Sequence, residues 1–148
     1  MSFKHIVVAT DFSDCSQRAL DLALEIAAKF ESKLTLVHSW EAPSYAYASG
    51  VFVMTDLIAP IEQAAASLLD IATTELKTRM PTAESMIRCG VAWEEILAAA
   101  SLVHADLIVL GTHGRRGLHR ALLGSVAEKV VRLATVPVLA AHGARSSE

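Results

Sequence analysis

The chain has 148 residues, 53% of them hydrophobic and 20% charged, with a formal net charge of −3. That size and composition fit one domain with a filled core and exclude a disordered chain; the acidic balance, without a basic tail, excludes broad binding to nucleic acid or acidic lipid. Cys15 and Cys89 lie far apart with no CxxC spacing, which excludes a disulfide framework or zinc site, and neither a signal segment nor a membrane-length apolar run is present, so a cytoplasmic location is expected.

In chain order, His5 to Thr10 is a short apolar run of the kind that forms a central strand. Asp11, Ser13 and Asp14 then supply capping side chains. Ala19, Leu20, Ala23, Ile26, Ala27 and Phe30 recur at helical spacing, predicting a helix of about four turns. Lys33 to Trp40 is the second strand. Glu41 to Asp56 reads as an irregular stretch containing Pro43, Gly50, Tyr47 and Phe52, and its length predicts that Tyr45 to Met54 is mobile without ligand and closes over it. Ile58 to Met80 carries a helical stripe at Ile61, Ala65, Leu68, Ala72 and Leu76 and stops at Pro81. Thr82 to Cys89 is a partly polar strand suited to a sheet edge. Gly90 leads into a helix over Trp93 to Val103, followed by a strand at Leu107 to Leu110, a helix at Ser125 to Ala134 and a last strand at Val136 to Ala141. Residues 142–148 are small and polar, as in a frayed, flexible tail.

Strands and helices alternate, so the fold class is α/β, a doubly wound parallel sheet of five strands with helices on both faces. Between the fourth strand and the last helix stand Gly111, Gly114 and, nine residues later, Gly124 followed by Ser125. In such crossovers the amides of a helix start, with the positive end of its dipole, collect phosphate, and glycine permits close approach and positive φ. Ser125 also opens a capping-box pattern that ends at Glu128, so a cap and a phosphate contact are both open to it. Arg115, Arg116 and Arg120, with His113 and His119, concentrate positive charge in this loop, either as surface charge or as phosphate partners. His5, His38 and His104 read as packing residues rather than ligands. Cys15 reads as a small packing residue or, if exposed at the helix start, an activated thiol. Glu94 and Glu95 diverge by about 100° on a helix, which excludes a catalytic pair. No Walker, nucleophile-elbow, HExxH or GxGxxG pattern occurs.

The loop from Gly111 to Glu128 and the opening Ile6-Val-Val-Ala-Thr-Asp11-Phe-Ser13 are together similar to the universal stress protein family, in particular its ATP-binding branch, and the likeness spans residues 3–141. The resemblance implies one nucleotide-binding domain over residues 1–148 with strand order 3-2-1-4-5. On that order the crevice between strands one and four is a topological switch point, where ligands bind. It further implies ATP with Mg2+, held by Ala9, Thr10, Asp11, Ser39, Gly111, Thr112, Gly114, Arg115, Gly124, Ser125 and Val126. Asp11 would meet either ribose hydroxyls or the cation. Ala9 stands where the family commonly has proline, and Ser39 where it is usually apolar, which weakens the expected adenine contact. The implied function is a nucleotide-regulated stress-response factor with an unidentified protein partner. A slow ATPase, an ATP-independent dimeric scaffold and a flavin-binding carrier are the alternatives. Strand five would be an apolar sheet edge, so a homodimer through Val136 to Ala141 is expected, with Pro137 facing away from the pairing or at its margin.

Overall fold

The computed structural model describes residues 2–45, 51–113 and 123–143, with only the backbone of 51–55. Five parallel strands, β1 (His5–Ala9), β2 (Lys33–Trp40), β3 (Glu84–Cys89), β4 (Leu107–Gly111) and β5 (Val138–Ala141), are ordered β3-β2-β1-β4-β5. Helices α1 (Asp14–Phe30), α2 (Val51–Arg79), α3 (Ala92–Leu102) and α4 (Ser125–Leu133) make the crossovers. The strand order and helix placement expected from the resemblance are those observed.

Strand alternation divides the core in two. Ile6, Val8, Leu34, Leu36, Leu107 and Val109 point to one face, where Ala19, Ala23 and Ala27 of α1 and Leu69 and Leu76 of α2 cover them. Val7, Val37, Ile108 and Leu110 point to the other, under Ile96, Ala99 and Ala100 of α3 and Ala127 and Val130 of α4. Burial on both faces is what turns these strands into nearly continuous apolar runs. Small residues on α1 let its axis lie close to β1 and β4.

Several element boundaries differ from the expectation. The Glu41–Asp56 stretch is not irregular throughout, because α2 already begins at Val51 and carries Pro60 inside it. Pro60 removes one donor from the helix, as it also would from the expected Ile58–Met80 stretch. Of the Tyr45–Met54 segment expected to close over ligand, residues 46–50 lie outside the described residues and 51–54 belong to α2. On α2 the buried stripe runs through Ala65, Leu69 and Leu76, whereas Leu68 is exposed. The stripe's period lets either of two adjacent leucines be read as the inward one. β5 starts at Val138, two residues later than expected.

Polar groups fix the ends of the sheet. The Asp106 carboxylate accepts from the Lys4 and His5 amides at 2.8 and 3.0 Å, joining the start of β1 to the start of β4. Arg79 of α2 meets Asp21 of α1 at 2.6 Å on the surface, and Arg88 of β3 meets Glu95 of α3 at 2.7 Å. Glu95 is thus a structural ion-pair partner, in keeping with the exclusion of a carboxylate pair. Gly90, between β3 and α3, has φ +148°, and a Cβ there would stand 2.7 Å from Glu95 Oε1. His104 was expected to pack; it is exposed and ends α3 with φ 53°, which makes it a terminating residue.

His5 does pack, its Nε2 lying 2.8 Å from Thr35 Oγ1. Burial, aided by the Lys33 charge, holds its imidazole below the ordinary histidine value. The unfolded chain therefore binds this proton more readily than the folded one. The stability His5 contributes is complete above its ordinary pKa, near 6.5, and is lost as pH falls through the lower folded value. Denaturant titrations across that window should show a stability decline that is shallower in His5→Gln; an equal slope in both proteins would place the effect on other groups.

Candidate functional site

The turn from β1 into α1 is built by short polar side chains. Ser13 caps α1, its hydroxyl accepting from the Ser16 amide at 3.2 Å. Asp11 Oδ1 accepts from the Ser13 amide at 3.0 Å and from the Ser13 hydroxyl. Thr10 Oγ1 accepts from the Phe12 amide at 3.0 Å and lies 3.2 Å from Ser16 Oγ. These bonds hold Phe12 at φ 64°, a conformation that costs a bulky residue of order 1–2 kcal/mol. His38 steadies the same turn from β2. Its Nδ1 lies 2.9 Å from the Thr10 carbonyl, which can only accept, so this nitrogen carries the proton, and its ring packs against Phe12 at 4.4 Å. His38 is therefore a positioned packing residue, as its sequence context implies.

Across the sheet, β4 ends at Gly111 against the first turn of α1. A Cβ on Gly111 would stand 2.9 Å from Cys15 Sγ and 3.0 Å from the Cys15 carbonyl carbon. Cys15 is buried and its thiol donates to the Ala141 carbonyl at 3.2 Å, which settles it as a packing residue. The Thr112 amide donates to the same carbonyl at 2.9 Å. Gly124 returns the loop to this point: its amide donates to the Thr112 carbonyl at 2.7 Å, and a Cβ would meet that oxygen at 2.8 Å. Gly124 has φ −60°, and Gly90 is the glycine with positive φ among the described residues. Gly111 and Gly124 are thus required by backbone crowding, not by the left-handed conformation that glycine also permits.

Gly124 is the N-cap of α4, with no side-chain cap, and Ser125 is the first helical residue. The capping box read from Ser125 and Glu128 is not formed. A box needs the serine one position earlier, and Gly124 holds that place because of the Thr112 carbonyl beside it. The first bond within α4 runs from the Glu128 amide to the Gly124 carbonyl at 2.9 Å. The amides of Ser125, Val126 and Ala127 are therefore those that a helix start leaves without intrahelical partners, at the positive end of its dipole.

Between these two turns, at the carboxyl ends of β1 and β4, lies a cleft of about 390 Å³. Ala9, Thr10, Asp11, Ser39, Gly111, Thr112, Gly124, Ser125 and Val126 all line it. Gly114 and Arg115, like Arg116, His119 and Arg120, lie outside the described residues. Ser16, Val37, Ala92, Ile96, Leu110, His113 and Ala127 line it as well. Ile96 and Val37 belong to apolar stripes that mark a core and give no sign of a cleft; Ser16 lies one turn beyond the capping residues. The floor is thus aliphatic, and the polar groups stand at the two turns. Ligand pockets have this composition and volume.

His113 stands out among the lining residues. Its Nδ1 is 2.9 Å from Thr112 Oγ1, a hydroxyl that also lies 3.4 Å from His142 Nδ1, while its Nε2 is buried with no hydrogen-bond partner among the described residues. Leaving such a group unsatisfied costs about 1–3 kcal/mol.

The cleft can hold a small molecule with an anionic end: amides and a buried imidazole nitrogen lie opposite a carboxylate turn and an aliphatic floor. A mononucleotide has this distribution of groups. Among the described residues no cluster of three His, Cys, Asp or Glu could hold a metal ion by itself. No helix among them is long and apolar enough to cross a membrane.

Comparison with known proteins agrees with the fold. Universal stress protein A homolog 1 of Coxiella burnetii is 36% identical over 142 residues, covering 95% of this chain and 96% of that protein. The solved structure of MJ0577, a universal stress protein of Methanocaldococcus jannaschii, superposes with a TM-score of 0.85 at 26% identity, over 99% of this chain and 100% of that one. A universal stress protein solved in complex with cAMP superposes with a TM-score of 0.67 at 29% identity, over 96% and 98% of the two chains. The model of the universal stress protein family matches residues 2–142, and this chain belongs to that family.

Proposed function

We propose that this protein binds ATP, with Mg2+, in the cleft between β1 and β4 and acts as a nucleotide-regulated stress-response factor of the cytoplasm. The observation that carries this reading is the start of α4, where Ser125, Val126 and Ala127 line the cleft and their amides have neither an intrahelical partner nor a side-chain cap. They would receive the phosphates, together with Gly114 and Arg115 of the loop. Asp11 would take ribose hydroxyls or the cation, and Ala9, Thr10, Ser39, Gly111 and Thr112 would bound the nucleoside. A family member that binds cAMP supports the adenine end of the reading. Magnesium would be carried mainly by phosphate oxygens and water, with Asp11 the carboxylate at hand.

The test is to denature freshly purified protein and identify the small molecules released by chromatography and mass spectrometry. Adenine nucleotide in near-equal molar amount is expected. Protein that releases none, and binds no added ATP in calorimetry with magnesium, would overturn the proposal.

We also propose that the protein is a homodimer through β5. In support, the Pro137 carbonyl accepts from the Ile108 amide at 3.0 Å and the Ala141 carbonyl from the Thr112 amide. Odd-numbered residues of this strand thus turn their backbone groups toward β4, and Val138 and Ala140 turn theirs outward. The donor that Pro137 lacks belongs to the inner side. Ala140→Pro removes an outward donor and leaves the ladder to β4 intact, so it should shift the protein toward monomer in light scattering. A dimer unaffected by this change would place the contact elsewhere. Val138 is less suited to this test because its side chain packs on the core.

A further inference from the structure

We propose that His113 Nε2 is a direct contact for a phosphate oxygen of the bound ligand, a role that rests on the nucleotide reading of the cleft. The imidazole is held at one end and unsatisfied at the other. Nδ1 is engaged by Thr112 Oγ1 at 2.9 Å, while Nε2 is buried without a partner among the described residues and the ring lines the cleft.

The protonation logic limits what Nε2 can offer. The Thr112 hydroxyl has one proton and stands between His113 Nδ1 and His142 Nδ1. If Thr112 donates to His113, Nε2 carries the hydrogen and is a buried donor. If His113 donates to Thr112, Nε2 is a bare acceptor. The first arrangement places an N–H at the cleft, the group that an anionic oxygen accepts from, and a phosphate bound there would select it. The titratable groups about it are Cys15 on α1, Asp11 in the turn after β1 and His142 after β5; Arg115 and Arg116 follow it in the chain. The α4 residues that line the cleft, Gly124 to Ala127, carry no titratable side chain.

Nothing in the spacing of the loop singles this histidine out, because its neighbours in sequence are arginines and glycines. What distinguishes it is the unsatisfied nitrogen. A hydrogen bond to a charged oxygen is the interaction that removes the burden of burying that nitrogen alone.

The experiment compares wild type, His113→Phe and His113→Gln, each first checked for an intact thermal transition. In His113→Phe, ATP affinity should fall about tenfold. His113→Gln, which restores an N–H that does not titrate, should recover most of it. A second measurement needs no variant: in 15N-labelled wild type, the His113 ring resonances should shift on adding ATP and on adding inorganic tripolyphosphate.

If ATP binds while the ring resonances stay fixed and His113→Phe keeps full affinity, the His113 contact is overturned and the nucleotide site stands. If tripolyphosphate shifts the ring but ATP does not bind, the contact stands and the adenine reading fails. If neither ligand binds, both are overturned.

Discussion

ATP affinity is expected to fall about a hundredfold in Gly124→Val, with Gly124→Ala intermediate, equivalent to about 2.7 kcal/mol for the larger change. The first added carbon already stands 2.8 Å from the Thr112 carbonyl oxygen, a backbone atom with no rotamer to move. Relief requires the start of α4 to retreat from β4, which breaks the 2.7 Å bond between the Gly124 amide and that oxygen. The amides of Ser125 and Val126 move with it, away from where a phosphate would sit. The valine branches worsen the crowding, hence the graded series. Calorimetric titration with ATP and magnesium reads the effect, and circular dichroism checks that the sheet persists. Unchanged affinity in a folded valine variant would remove α4 from the binding site.

Gly111→Ala should instead act on stability, lowering the melting temperature by about 5–10 °C, as overpacking of about 2–3 kcal/mol does in a domain of this size. The new methyl would lie 2.9 Å from Cys15 Sγ and 3.0 and 3.1 Å from the Cys15 carbonyl carbon and oxygen. The sulfur can rotate away; the backbone of the first turn of α1 cannot. Cys15→Ala in the same chain should therefore restore only part of the loss. Complete restoration would mean that the sulfur alone accounts for the glycine, and no loss in the single variant would mean that α1 shifts freely at its start.

These glycines also show what the sequence did and did not disclose. The spacing of Gly111 and Gly124 located the crossover and its cleft correctly, yet each is glycine because a neighbouring backbone lies against it, a long-range fact absent from any local pattern. β1, β2 and β4 were legible because burial on both faces leaves a mostly apolar centre in each, Ile6 to Val8, Leu34 to Val37 around Thr35, and Leu107 to Leu110. The true start of α2 was hidden, since Ala48, Ser49 and Gly50 just ahead of Val51 have the composition of a loop and carried the irregular reading on to Asp56. Ser125 looked like a cap because its type and its distance from Glu128 are right. Its offset by one position follows from Gly124 meeting Thr112. Ser16, Val37, Ile96 and Leu110 escaped notice as cleft residues because lining a cleft and lining a core call for the same side chains. His113 was placed among the loop's positive charges, and only the geometry separates its two nitrogens.

The Asp106 fork on Lys4 and His5 bears on how the chain assembles. Each of the pairings β1 with β2 and β2 with β3 joins neighbours in chain order, whereas Asp106 and its partners at the start of the first strand, His5 and Lys4, are separated by 101 and 102 residues. Contacts of that separation carry the larger loop-closure entropy and form late unless earlier structure brings their ends together. The order expected is a β1–β2–β3 half that folds first, with β4, α4 and β5 docking onto the exposed side of β1 afterwards. The cleft lies on this last seam, so a ligand site there would be completed only in the final step of folding. A nucleotide held across it would slow the reverse step, and the protein's lifetime against unfolding would then follow the nucleotide supply.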